Sequence, residues 1–286
     1  MKKLALIGLM ISLAACTPSW QPEGEERLCI EGWIDDGAHP VVIVTTSVPT
    51  STEYQTIDDQ GSHLVKMQCK VWVSDGDNTV MLDGVKDDRY YPPFIWTSKT
   101  ASSMISGVAG KTYSLKVEYD GHTVTGSTTI PAGVPLDSLW CEPYPDDEGK
   151  YCIKARFTDP EATEDYYGLF VKVAGQDSTF VPAYMGSISD RNLSRPATID
   201  VMKGLSVNNE HSWAHNPAAF EKGDKLSLRF CTMDRGSYDF WYSYFKVVSL
   251  SVVPMFPATY NPEYNVSGGI GCWCGYGAKE YSITVK

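Results

Sequence analysis

Positive charge is scarce in this chain: 24 lysines and arginines stand against 35 aspartates and glutamates, a formal net charge of −11. That shortage argues against binding nucleic acid through its phosphates and against electrostatic attraction to anionic lipid. Catalytic signatures are missing too. There is no G-x-S-x-G nucleophile elbow and no phosphate-binding P-loop, and Gly268-Gly269-Ile270-Gly271 misses the dinucleotide pattern, so it reads as a tight turn or bulge. An enzyme reading therefore has no motif to stand on. Helical periodicity is absent from all but one stretch, and beyond residue 15 no apolar run reaches the roughly 20 residues of a spanning helix.

What is present begins with an address. Met1-Lys2-Lys3, the short apolar run Leu4 to Ala15 and the closing Leu13-Ala14-Ala15-Cys16 make residues 1–15 a bacterial lipoprotein signal peptide. Cleavage before Cys16 leaves its sulfur to receive a diacylglycerol. At about 0.8 kcal/mol per buried methylene, two or more long chains hold such a protein durably on a membrane. Residues 1–15 also carry two of the 24 basic side chains, so the mature chain is more acidic still. Residues 16–27, dominated by Pro, Ser, Gln, Gly and Glu, are expected to form a flexible tether.

Cysteine is plentiful, with eight copies. Besides Cys16 there are Cys29, Cys69, Cys141, Cys152, Cys231, Cys272 and Cys274, an odd set that leaves at least one thiol unpaired within the chain. The expected bridge is Cys141 to Cys152, because residues 143–149 read as a loop joining two antiparallel strands. Closing so short a loop contributes about 2–3 kcal/mol. Cys272-Trp273-Cys274 has C-x-C spacing and no partner C-x-x-C, so no metal is assigned to it. In a strand both thiols share a face, either as buried thiols or with one bridged to Cys231 or Cys29.

Strand patterns fill most of the mature chain. Leu28 to Ile34 and Val41 to Val44 flank a turn at Asp35-Asp36-Gly37. Val65, Met67, Cys69, Val71 and Val73 alternate with Lys66, Gln68 and Lys70. Tyr113, Leu115, Val117 and Tyr119 alternate with Ser114, Lys116 and Glu118. Ser74 to Asn78 is oxygen-rich but lacks the later bidentate Glu of a calcium loop, so it reads as a hairpin turn. Pro131-Ala132-Gly133-Val134-Pro135 breaks the pattern and divides the chain into a β-sandwich domain at 28–131 and a second β-rich domain at 136–286. The second resumes with strands at Leu136 to Cys141, Tyr151 to Thr158 and Tyr167 to Val173. Residues 186–222 show no sustained period. His211, Trp213 and His215 lie there and are the ligand-binding candidates, with no metal assigned because Ser212 stands where a zinc protease needs Glu. From Tyr238 to Val252 the apolar period becomes helical, with Ser237 the expected N-cap.

Landmarks then recur in order: Phe157-Thr158-Asp159-Pro160 with Tyr166-Tyr167, next Phe220-Glu221-Lys222-Gly223-Asp224, and last Asn265-Val266-Ser267-Gly268-Gly269-Ile270-Gly271-Cys272-Trp273. With the lipoprotein signal and the N-terminal sandwich, they make the whole mature chain resemble the Bacteroidetes outer-membrane lipoprotein family known as domain of unknown function 4249. Glu23, Glu25 and Glu26 resemble the acidic stretch that marks such lipoproteins for surface export. The resemblance implies an outer-membrane, cell-surface location, a TonB-dependent receptor as partner in nutrient capture, and an immunoglobulin-like or transthyretin-like first domain. It carries no catalytic residues, and no cofactor is assigned. The fold class expected is mainly β, and the function that of a lipid-anchored accessory or binding protein. A structural or adhesive surface protein and a hydrolase with an unrecognised site are the alternatives.

Overall fold

The computed structural model describes residues 26–47, 65–144, 147–160, 163–204, 219–251 and 261–286. The first half contributes β1 (Leu28–Asp35), β2 (Val41–Thr46), β3 (Lys70–Ser74), β4 (Thr79–Met81), β5 (Asp83–Lys86), β6 (Phe94–Thr97), β7 (Thr112–Tyr119) and β8 (His122–Thr129). The second contributes β9 (Leu136–Pro143), β10 (Lys150–Phe157), β11 (Tyr166–Val173), β12 (Val181–Ser189), β13 (Ala197–Val201), β14 (Phe220–Glu221), β15 (Lys225–Met233), α1 (Arg235–Ser251), β16 (Val266–Ser267) and β17 (Ile270–Thr284). The chain is mainly β, with an immunoglobulin-like N-terminal sandwich followed by a second β-rich region that carries the single α-helix among the described residues.

These strands form three sheets. An eight-stranded sheet runs in the order β12-β11-β15-β17-β1-β2-β6-β5. A five-stranded sheet, β16-β8-β7-β3-β4, and a four-stranded sheet built on β10 pack beside each other on its one face. α1 covers part of the other face. Alternation explains the layering: in β7, Tyr113, Leu115 and Val117 are buried while Ser114 and Lys116 face outward. Each fully buried Leu or Val contributes roughly 1.5–3 kcal/mol.

The strand that joins the halves comes last. β17 pairs in parallel with β1 from Cys29↔Ile270 to Asp35↔Tyr276, then antiparallel with β15 from Met233↔Tyr276 to Lys225↔Thr284. The break at 131–135 falls between β8 and β9, yet β16 returns to pair with β8, so the C-terminal segment serves both halves. Trp273 is fully buried in the N-terminal core, with its indole N–H donating to the Tyr113 carbonyl at 2.9 Å. A Cβ at Gly32 would come within 2.9 Å of the ring, so the glycine makes room for it. At Gly271, φ is +111° and a Cβ would sit 1.9 Å from the Ile30 carbonyl oxygen, which leaves only glycine able to start the parallel ladder there.

Several sequence expectations need correction. The alternation beginning at Val65 becomes strand only at Lys70, because 67–68 form a turn. Residues 186–222 are not uniformly irregular: β12 runs to Ser189, β13 occupies Ala197–Val201, and β14 follows at Phe220. α1 begins at Arg235, and its first-turn donor at Ser237 N binds Asp234 Oδ1 at 2.9 Å, making Asp234 the cap and Ser237 a buried residue of the first turn. The same carboxylate's other oxygen accepts from Thr128 Oγ1 at 2.7 Å and Thr129 N at 2.9 Å, tying the helix to β8.

The Cys141–Cys152 bridge is absent, and the register says why. Cys141 lies opposite Ile153 and Cys152 opposite Glu142, so the two cysteines point to opposite faces of the β9–β10 ladder. Cys141 packs against the core, whereas Cys152 Sγ lies near the Glu142 carbonyl on the other face.

Candidate functional site

The outer face of the five-stranded sheet holds a groove of about 750 Å³. Its floor follows from strand register. One cross-strand row runs Ser267–Thr125–Lys116–Trp72–Met81, and the next runs Ser127–Ser114–Ser74–Thr79. Behind them, Tyr113, Leu115, Val117, Val71, Val73 and Val124 anchor the same strands in the core, so the floor stands on rigid backbone.

The groove is polar with one aromatic. Lys116 Nζ lies 5.3 Å from the Trp72 ring centroid and 2.6 Å from Glu118 Oε1, so its charge is already met within the sheet. Ser74 commits its hydroxyl to the hairpin turn, donating to the Asn78 carbonyl at 2.8 Å. Asp75 Oδ1 accepts from Asp77 N and Asn78 N, which confirms the oxygen-rich 74–78 segment as a turn closed on itself. Thr79, Ser114, Thr125, Ser127 and Ser267 are exposed. Chemically the surface offers hydroxyl donors and acceptors around an indole, with no nucleophile and base assembled.

Sequence reasoning overlooked this face, although a signal was there. Trp72 sits on the polar phase of the alternation that sends Val71 and Val73 inward, and an aromatic out of phase in a half-buried strand points to solvent. Of the residues singled out from sequence, Cys16, His211, Trp213 and His215 lie outside the described residues.

A second polar cluster sits at the end of the C-terminal core. Asp159, buried, accepts from the Tyr167 hydroxyl on Oδ1 and from Arg195 Nε and Nη2 at 3.0 and 2.8 Å on Oδ2. Asp165 and Asp190 bring two further carboxylates, with ligand oxygens of all three within 4.8 Å of one another. Both Asp159 oxygens are already engaged, and Arg195 supplies the positive charge a cation would bring. The cluster is a clamp between β11 and the segment leading into β13. Burial, and then the bonded Asp159, push the Tyr167 hydroxyl well above its ordinary range, so it stays a neutral donor.

Beneath α1 lie the C-x-C thiols. Cys272 and Cys274 share the face turned to the helix, and Trp273 points the other way, as strand geometry requires. The hydrogen bond to Cys274, together with burial, pushes the Cys272 thiol up, and burial does the same for Cys231 and the Tyr276 hydroxyl. Tyr276 accepts from Trp241 Nε1 at 2.7 Å. Among the alternatives open from sequence, the structure places Cys231, Cys272 and Cys274 as free, buried thiols. Cys231 and Cys272 thus stay protonated, inert packing groups, whereas hydrogen bonds from Cys272 and Tyr276 draw the Cys274 thiol down against its burial.

The ordered landmarks thus have structural jobs. Asp159 and Tyr167 make the clamp. Asp224 Oδ2 accepts from Glu221 N at 3.0 Å in a turn that needs Gly223 at φ +95°. Asn265 binds both the N–H and the C=O of Trp273, at 2.8 and 2.9 Å, and fixes the strand that carries it. A family model described as "Domain of unknown function (DUF4249)" matches residues 17–280, and no curated protein matches the chain.

Proposed function

Since the chain belongs to the DUF4249 family, we propose that it is a lipid-anchored outer-membrane binding protein that partners a TonB-dependent receptor in nutrient capture. The observation that carries the binding role is the open groove around Trp72, a ligand-sized surface set on rigid strands and lined by hydroxyls rather than by an acid–base pair. The address comes from the signal ending in Leu13-Ala14-Ala15-Cys16, and the anchor is the lipid on Cys16. No helix among the described residues is long and apolar enough to cross a membrane. The protein is non-enzymatic in this reading: it holds a ligand and hands it to the receptor.

Capture of the tagged protein from native membranes tests the partner. An integral receptor should co-purify, and deleting the protein should lower uptake of that receptor's nutrient. No receptor in the eluate together with unchanged uptake would sink the reading. Cys16→Ser should move the folded protein to the soluble fraction of cells lacking the receptor, read by fractionation.

A further inference from the structure

The groove's chemistry narrows its ligand. We infer that the Trp72 face binds a neutral polysaccharide chain lying across the strands, an inference that rests on the binding-protein reading above.

Three observations point there. The first is charge. The chain carries −11 overall, and the groove's one cation, Lys116, is held by Glu118 and by the Trp72 ring. An anionic polymer would meet net repulsion and no unspent positive charge, whereas a neutral chain meets neither. The second is composition. Protein-docking patches concentrate aromatics, Met and Arg and are depleted in Ser. This face is mostly Ser and Thr around a single indole, suited to a ligand that is itself covered in hydroxyls. The C–H face of a pyranose packs on an indole, while its equatorial hydroxyls exchange hydrogen bonds with Ser and Thr.

The third is spacing. Neighbouring strands stand about 4.8 Å apart, close to the length of one pyranose unit in an extended chain. Ser127, Ser114 and Thr79 lie in one cross-strand row, and Thr125 and Trp72 in the adjacent row. A glycan running perpendicular to β7 therefore advances about one sugar per strand, and the side chains it meets recur in step with it.

Affinity electrophoresis of the full mature chain tests this, through gels containing dextran, laminarin, xyloglucan or galactomannan, with alginate and heparin as anionic counterparts. At least one neutral gel should retard the protein, and the anionic gels should not. Trp72→Ala should weaken retardation about tenfold or more, while Trp72→Tyr keeps most of it. Both variants should melt with the wild type, since Trp72 lies outside the core. Retardation by no neutral gel, by the anionic gels alone, or equally for wild type and Trp72→Ala overturns the inference. The two claims fail separately. Receptor co-purification without glycan retardation removes the ligand class and leaves the accessory role, and Trp72-dependent retardation without a receptor does the reverse.

Discussion

The two cores lean on the same eight-stranded sheet and are closed by different means. The N-terminal core is completed by Trp273, a residue from the last strand, held by neutral hydrogen bonds to Tyr113 and Asn265. The C-terminal core stacks Tyr167 on Phe230, with ring centroids 5.2 Å apart, and seals its end with Asp159, Tyr167 and Arg195. One core depends on remote packing, the other on a buried charge met nearby. Perturbations of volume should therefore weigh most on the first, and perturbations of protonation on the second.

Trp273→Ala should have the largest effect. Removing a fully buried Trp costs about 3–5 kcal/mol, and because β17 also pairs with β15 the loss should appear as one cooperative transition in urea. A biphasic curve, with the C-terminal half melting at its wild-type midpoint, would break the idea that one sheet couples the cores. Asp159→Ala comes next, at about 1–3 kcal/mol. The Tyr167 hydroxyl loses its acceptor inside the core, whereas Arg195, with 39% of its side chain exposed, is rehydrated and adds little.

Alkali should then separate the cores. Tyr167 ionises in the unfolded chain near the ordinary value of 10, while in the folded protein burial and Asp159 hold its proton on. Above pH 10 the unfolded state binds fewer protons than the folded one, so stability falls as pH rises. Tyr167→Phe should flatten that fall in urea titrations between pH 9 and 11. Tyr113→Phe should flatten it less, because the Tyr113 hydroxyl donates to the Ser106 carbonyl and has no carboxylate bonded to it. The smallest effect belongs to Cys152→Ser, expected within about 0.5 kcal/mol of wild type, with no dependence on reductant. A larger loss that appears only under oxidising conditions would restore the Cys141–Cys152 bridge.

Much of this was legible in the chain. β7 declares itself through Tyr113, Leu115 and Val117, and α1 through Trp241 and Phe245, because both signals are local periodicities. The opposite faces of Trp273 and its flanking cysteines also follow from strand geometry alone. Proximity across a hairpin is not contact. One residue of register turned Cys141 and Cys152 back to back, and register is set by the whole β9–β10 ladder. In β13, Ala197, Ile199 and Val201 do alternate with Thr198 and Asp200, but five residues are too short a window to stand out in a stretch rich in Asn and His. Ser237 stands next to the first apolar residue of the helix, but the capping oxygen comes from Asp234, three residues earlier. The alternation that marks β3 as a strand is carried by its buried phase, Val71 and Val73, and says nothing of what Trp72 on the other phase faces. The parallel pairing of β1 with β17 leaves no local trace at all, since its partners, Cys29 and Ile270, are far apart in sequence.

That pairing also sets an order in time. A chain made from its N-terminus at about 5–20 residues per second needs roughly 12–50 s between the appearance of Cys29 and that of Ile270. Through that interval the first strand has no neighbour on one edge, and the hydrophobic slot shaped for Trp273 stands open. A product terminated early cannot close it. The first strand thus waits for its partner on a segment made long after it.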